Sequence, residues 1–203
     1  EALAGGEARF GGRAAQVGPE GPWTVRPPSD AWRDEAHGFG WLDDALAAAR
    51  KDRDALRGWA LGWIRRHGDG TGPGWRPDLA GRRVARLAVA APVMLKGLPM
   101  RDQRRWRRAI QAHLLFLAAR WRKAPDALGR LEAATGRLLA ALATDAPRRG
   151  RAVAAVGEAA EALIGLQGEV ASRSPEELGR AFALLAWSAH ALEEAETEPD
   201  ARA

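Results

Sequence analysis

The sequence has no cysteine, no tyrosine and only three lysines among its 203 residues. Without cysteine, a disulfide scaffold, a thiolate-bound zinc or iron–sulfur site and thiol catalysis are excluded. Without tyrosine, no phenol can act as an acid or a base. No apolar run reaches the roughly 18 residues that a membrane span needs, and no charged segment followed by an apolar segment opens the chain. We therefore expect no membrane partner, and the compartment, periplasm or cytoplasm, stays open.

Arginine supplies almost all of the positive charge. The chain has 31 Lys and Arg against 26 Asp and Glu, a formal net charge of +5. Arginine binds carboxylate, sulfate or phosphate groups in a bidentate manner. Alanine, glycine and arginine are abundant throughout, however, and acidic residues are interleaved with the basic ones. The pattern favours a compositional origin of the excess, with anion binding as the alternative.

The chain divides into three parts. Residues 1–30 are rich in glycine and proline, which excludes a long helix and allows a small hairpin over 8–17 with Gly11 and Gly12 at the turn. Residues 31–196 show the apolar periodicity of helices joined by short links, and 197–203 form a polar tail. The pattern predicts six to eight helices with no sheet, an all-α fold built of helical hairpins.

Several helix boundaries can be predicted. A stripe of apolar residues predicts a helix from Arg101 to Lys123. Ser174, followed by proline, should cap the last helix, and Pro92 should kink or end the helix that contains it. The indoles at helical core spacing are Trp59, Trp63, Trp106, Trp121 and Trp187.

Residues in or beside the loops are better candidates for ligand binding than those at helical core positions. Residues 68–74 are rich in glycine but lack the Gly-Lys-Ser/Thr of a phosphate-binding loop. The four histidines have no metal-ligand spacing, so we expect no metal and no cofactor. His37 precedes a helix break, where a reactive side chain is well placed. The indoles in or beside loops either stack on a sugar ring or simply pack; they are Trp23, Trp32, Trp41 and Trp75.

A run of arginines over 101–108 surrounds Trp106. Trp106 belongs to the apolar stripe, so it is assigned to the core and not to a platform for stacking bases. The arginines then lie on the solvent side of the helix. A solvated face is favoured there over contact with a polyanion, and nucleic acid is the less favoured partner.

Several segments together resemble the amino-terminal part of bacterial heparinase II/III family proteins, which are polysaccharide lyases and their relatives. They occur in the family's order and cover nearly the whole chain. The matching segments are PW at 22–23 with PPS at 27–29, HGFGWLDD at 37–44, WIRRHG at 63–68, GWRPDLAGRR at 74–83 and SRSPEEL at 172–178.

The resemblance implies an α/α-toroid, a ring of helical hairpins whose loops line a groove for an acidic, uronate-containing polysaccharide. In the family a β-sandwich domain follows the ring. Nothing in this chain reads as that domain, so the expectation is a partial protein or a lone half of the toroid. The residues that we expect to line the groove are His37, Trp41, Trp75, Arg76, Arg82 and Arg173, with His37 also a weak catalytic candidate.

The resemblance also implies a chemistry, β-elimination at a uronic acid. In the family an Asn or Glu, often beside a His, neutralises the carboxylate, and a later Tyr acts as base and acid. The matching positions here are Arg130-Leu131 and a residue near Glu177, and the chain has no Tyr. We therefore expect this chain to be inactive alone, with Arg130 either a replacement neutralising group or a solvated arginine.

Two other functions stay open. The chain is either a non-enzymatic all-α module that binds polyanions through its arginine faces, or a structural domain that positions a partner domain. An exposed apolar surface would indicate the structural role.

Overall fold

The computed structural model describes residues 6–19, 21–47, 50–147, 149–165, 167–170 and 172–197. Within these residues a two-stranded sheet precedes eight α-helices, which confirms the predicted predominance of helix. The elements are β1 (Glu7–Phe10), β2 (Arg13–Gln16), α1 (Asp30–Gly38), α2 (Trp41–Ala47), α3 (Arg50–His67), α4 (Pro77–Met94), α5 (Met100–Arg120), α6 (Ala127–Ala143), α7 (Gly150–Leu163) and α8 (Pro175–Thr197), with 3-10 turns at Pro22–Thr24, Pro73–Trp75 and Trp121–Lys123.

The sheet is the predicted N-terminal hairpin. Its strands are antiparallel, and Phe10 is paired with Arg13. Gly11 and Gly12 form the turn with φ values of 53° and 73°, a backbone region that glycine enters without steric cost. Phe10 is buried and meets the ring of Trp32 on α1 edge-on, with centroids 5.2 Å apart. The hairpin therefore belongs to the core of the domain.

Two helix ends differ from the sequence prediction. Pro92 lies inside α4 and does not end it at that residue, because the helix continues to Met94. A proline this close to the C-terminal end removes only one late backbone hydrogen bond, which the helix tolerates. The helix predicted to reach Lys123 ends at Arg120 and tightens into a 3-10 turn before Pro125. The sequence also predicts a helix from about Pro147 to Leu166; α7 ends at Leu163, and Leu166 itself lies outside the described residues.

Helix α6 lies at the centre of the fold. Almost every residue of it is buried, and it packs against α4, α5, α7 and α8. Its closest neighbour is α4, which it meets at Gly136 and Gly81. A Cβ on Gly136 would lie 2.5 Å from the Cα of Gly81, so the two backbones touch. Only glycine permits this approach, and it brings the side chains beside the crossing together.

Asp126 begins the central helix. Its carboxylate Oδ1 accepts a hydrogen bond of 2.6 Å from the Gly129 backbone N–H, with Asp126 in the extended N-cap conformation. We expect Asp126→Ala to lower the free energy of unfolding by about 1 kcal/mol, measured by urea denaturation. Asp126→Asn keeps a capping oxygen and is the control. Equal losses in the two variants would contradict the role of the cap.

No helix in the described part of the chain is both long enough and apolar enough to cross a bilayer.

Candidate functional site

A buried glutamate lies where three helices meet. Glu132 projects from α6, and its side chain is only 5% exposed. Arg180 of α8 donates a hydrogen bond of 2.6 Å from Nη2 to the Glu132 Oε1. Arg82 of α4 places Nε 3.2 Å from Oε2, close enough for an ion pair, though not aligned as a hydrogen bond. The glutamate is thus held between two cations from different helices.

The ion pairs continue along the start of α4. Arg82 also donates to Asp78, at 3.2 Å, and Asp78 accepts two bonds of 2.8 Å from Arg76. Arg76 in turn donates to Asp34 of α1, again at 2.8 Å. Such a network fixes side chains that would rotate freely as isolated surface pairs. It ties α1, α4, α6 and α8 to one another.

An open groove of about 170 Å³ lies over this cluster. Arg82, Arg86 and Arg180 line it with Glu132, and Arg86 is held by a bond of 2.9 Å from Nε to Asp43. Apolar residues of α8 complete the wall, the largest of which is the half-buried Trp187. The free guanidinium N–H groups of these arginines can bind a carboxylate, and the indole beside them can pack against the apolar face of the ring that carries it.

The cluster shifts the pKa values of both of its buried carboxyl groups. Burial raises the pKa of Glu132, and the positive charges of Arg82 and Arg180 only partly oppose that rise. Burial would also raise the pKa of Asp78, but its hydrogen bonds to Arg76 and the nearby Arg82 hold it below its ordinary value. Glu132 is therefore the carboxyl group of the groove that binds a proton more readily.

A second polar cluster surrounds Arg83, which is completely buried. Its guanidinium carbon lies 3.9 Å from the centroid of the Trp63 ring. Nη1 donates to the backbone oxygens of His37 and Gly74 at 2.8 and 2.9 Å, and Nε donates to His113 Nε2 at 2.9 Å. No carboxylate among the described residues pairs with Arg83. Its charge is balanced by the Trp63 π-electrons, two carbonyl dipoles and the lone pair of His113 Nε2.

The neighbouring histidines are neutral. His113 Nδ1 lies 2.7 Å from the Ala109 carbonyl, so Nδ1 carries the proton and Nε2 accepts from Arg83. Burial and then Arg83 lower the pKa of His113, and the same two causes lower the pKa of His37 to about 3. His37 Nδ1 accepts a bond of 2.9 Å from the Trp63 indole, which leaves its proton on Nε2.

The sequence-predicted site residues are divided between these clusters and the rest of the chain. Arg82 lines the groove, and Arg76 lies one ion pair away from it. Arg173 precedes α8 on exposed backbone with a φ of 54° and is not among the groove residues. Arg130, the conceivable neutralising group, lies on α6 but is also absent from the groove.

The aromatic candidates pack in the interior. Trp41 and Trp75 are 3% and 5% exposed, and their indoles donate to the backbone oxygens of Ala36 and His67. No ring face of either is open to a sugar, which corrects the expectation that they line a groove by stacking. His37 is also buried, beneath Trp23.

Of the five charged and aromatic residues that line the groove, the sequence singles out Arg82 alone as a binding candidate. Arg86, Glu132 and Arg180 are not among its candidates, and its helical spacing assigns Trp187 to the core. A glutamate inside an otherwise apolar helical face was the available signal, because buried carboxyl groups require partners. Among the described residues, no group of three histidine, aspartate or glutamate side chains is placed to hold a metal ion.

The comparisons with known proteins give no relative for this chain. No family model matches it, and no curated protein and no solved structure matches it either.

Proposed function

We propose that this chain is a helical domain that binds acidic, uronate-containing glycans in the groove lined by Arg82, Arg86, Arg180, Glu132 and Trp187. The observation that supports the proposal is the pairing of Arg82 and Arg180 with one buried glutamate, in a groove that Arg86 and an indole also line. The arginines suit the carboxylate of a uronic acid, and the indole suits the apolar face of its pyranose ring.

The resemblance to heparinase II/III proteins adds to this proposal. In that family an Asn or Glu on a toroid helix neutralises the substrate carboxylate, and Glu132 directly follows the positions matched to the neutralising pair, Arg130 and Leu131. Burial raises the pKa of Glu132, and the protonated form of this side chain donates a hydrogen bond to a carboxylate, whereas the ionised form repels it. The finer proposal is therefore the substrate-binding part of an α/α-toroid lyase, completed by a β-sandwich domain.

Binding of a uronate oligosaccharide tests the groove. We expect a hyaluronan or heparan sulfate oligosaccharide to change tryptophan fluorescence saturably, and a neutral oligosaccharide of equal length to bind far more weakly. Arg180→Gln should weaken the binding about tenfold or more, since a hydrogen bond to a charged group is worth about 1.5–3 kcal/mol. Trp187→Ala should weaken it and remove most of the fluorescence change.

The control is Arg107→Gln, which removes the same charge from the exposed face of α5. Equal weakening by Arg107→Gln and Arg180→Gln would show non-specific attraction and contradict the groove. We expect no elimination product from the chain alone, because it contains no tyrosine; unsaturated uronate, detected by its ultraviolet absorbance, would contradict that expectation.

A polyanion module is the second candidate function. Arg101, Arg105 and Arg108 of α5 line a cavity of about 360 Å³ beside Gly68. Three cations along one opening suit a chain of phosphates or sulfates. Competition separates the two candidates: a glycan-binding groove prefers uronate oligosaccharides over DNA of equal charge, and the α5 surface does not.

A further inference from the structure

A cavity opens between α5, α6 and the start of α7, and it shares no lining residue with the glycan groove. Its volume is about 530 Å³, within the roughly 300–1,000 Å³ that small-molecule sites occupy. Most of its lining is apolar and comes from all three helices and the link between α6 and α7; it includes Leu114, Leu115, Ala118, Ala141, Pro147 and Ala152. The cavity therefore has the size and the walls of a site for a molecule with a hydrocarbon part.

The apolar lining is exposed to water on the α5 side. Leu115 is 73% exposed although it lines the cavity, and Leu114 before it is half-buried. Ala118, about one turn further along α5, is exposed as well. A single exposed leucine is ordinary on a protein surface, but apolar side chains that share one concave wall are typical of ligand sites. A hydrocarbon chain in the cavity would remove these side chains from water, which favours binding.

Two arginines lie among the apolar residues without ion-pair partners. Arg137 of α6 and Arg151 of α7 both line the cavity, and neither pairs with a carboxylate among the described residues. Arg137 is half-buried. Burial and then the charges of Arg122 and Arg151 lower its pKa. A partly buried arginine ordinarily has a counter-charge, and an anion in the cavity would supply the one that Arg137 lacks.

No acidic side chain of the described residues lines this cavity. The first turn of α7, at its edge, contains no aspartate or glutamate either. Asp145 lies between two lining residues, but it is exposed and is not part of the lining. Glu158 is bonded to Arg122, with Nε 2.8 Å from Oε1, so its charge is already paired. The polar part of the cavity therefore suits the negatively charged head of a ligand.

We propose that this cavity binds a fatty carboxylate, with the hydrocarbon chain against the apolar wall of α5 and the carboxylate paired with Arg137 and Arg151. Arginine binds a carboxylate in a bidentate manner, and one anion between two neighbouring cations also relieves their mutual repulsion. The site is separate from the glycan groove and does not depend on it. A uronic acid carries the same carboxylate on a polar ring, which the apolar walls disfavour.

Decanoate below its micellar concentration is the probe, and calorimetry with methyl NMR spectra measures its binding. We expect saturable binding that moves the Leu115 methyl resonances, which are identified as those missing from Leu115→Ala. Decyltrimethylammonium has the same chain and the opposite charge, so it should bind about tenfold or more weakly. Acetate and glucuronate keep the carboxylate without the chain and should leave the Leu115 resonances unmoved at the same concentration.

Arg137→Gln separates binding from folding. It removes the half-buried cation and should weaken decanoate binding about tenfold. The thermal unfolding midpoint of the ligand-free chain should stay unchanged or rise, because a repulsion between like charges is lost. Arg151→Gln, at an exposed position, should weaken binding less. Arg107→Gln removes the same charge from the exposed face of α5, outside the lining, and should leave decanoate binding unchanged.

Ala118→Phe tests the location independently of the arginines. Position 118 is an exposed part of the lining, so the larger side chain fills the cavity without entering the core, and it should abolish decanoate binding. Ala119→Phe, at the next exposed position and outside the lining, is the control. The proposal is overturned by an absence of saturable decanoate binding, by equal binding of decyltrimethylammonium, or by decanoate binding that Ala118→Phe or Arg137→Gln leaves intact. A failure of uronate oligosaccharides to bind contradicts the glycan groove alone.

Discussion

Replacing Gly136 with alanine is expected to destabilise the chain by about 3 kcal/mol, at the upper end of what overpacking costs. The added methyl group would lie 2.5 Å from the Gly81 Cα. Both contacting atoms belong to helix backbones, so no side-chain rotation can relieve the clash. The higher helix propensity of alanine relative to glycine offsets only about 1 kcal/mol of this loss in stability. Urea denaturation followed by tryptophan fluorescence measures the difference.

Gly157→Ala provides the matched control for Gly136→Ala. Gly157 lies inside α7, and no atom lies within 4 Å of the position that a Cβ would take. Its substitution should leave stability unchanged or raise it by up to about 1 kcal/mol. Equal effects of the two alanines would show that α4 and α6 do not depend on the glycine contact. Because Arg82 and Glu132 flank this crossing, Gly136→Ala should also weaken glycan binding.

Mild acid is expected to destabilise the folded chain between pH 7 and pH 5, by about 2 kcal/mol through His37 alone and further through His113. His37 and His113 stay neutral in the folded state, where burial and Arg83 depress their pKa values. The unfolded chain binds protons at both residues near pH 6.5. Their contribution is therefore fully present above pH 6.5 and is lost as the pH falls toward the folded pKa. For His37, whose pKa is about 3, the loss at pH 5 is about 2 kcal/mol, and His113 adds a loss in the same direction.

Other groups modify this slope in known directions. Burial and nearby cations also lower the pKa of His67, which adds to the loss in acid. Burial raises the pKa of Glu132, which acts in the opposite direction because the folded state takes up that proton more readily than the unfolded state. The carboxylate of Asp78, whose pKa lies below its ordinary value, adds a loss only at lower pH.

The measurement is the free energy of unfolding in urea across the pH range, for the parent chain and for His113→Gln. Glutamine can accept from Arg83 and donate to the Ala109 carbonyl, but it does not titrate. We expect the slope below pH 6 to become smaller, by at most the roughly 1.4 kcal/mol per pH unit that one titrating group contributes, whatever the stability at pH 7. His190→Gln, on the exposed side of α8, is the control; an unchanged slope in His113→Gln would contradict a neutral buried His113.

Local patterns in the sequence were sufficient for most of the helices. The apolar stripe from Trp106 to Trp121 predicted α5 because side chains three and four residues apart share a helix face. The Gly11-Gly12 turn predicted the hairpin. The ends of α4 and α5 were less predictable, since a proline or a tightened last turn near a helix end changes the energy only slightly.

The neighbouring residues Arg82 and Arg83 show why the site could not be predicted in the same way. Each residue turns a helix by about 100°, so Arg82 faces the groove while Arg83 enters the core. Which of the two is buried depends on how α4 lies against its neighbours. The same holds for Trp75, which reads as a loop residue in sequence and is buried by the stacked ring of His113.

The sequence by itself determined the secondary structure and the supply of arginine and tryptophan, because those depend on residue types and short-range spacing. Only the tertiary structure decided which charges meet. Arg82, Glu132 and Arg180 are separated along the chain and converge because α4 and α6 cross at two glycines. Burial at this crossing raises the pKa of Glu132. The packing of α8 places Trp187 in the same groove. No local pattern in the sequence encodes either result.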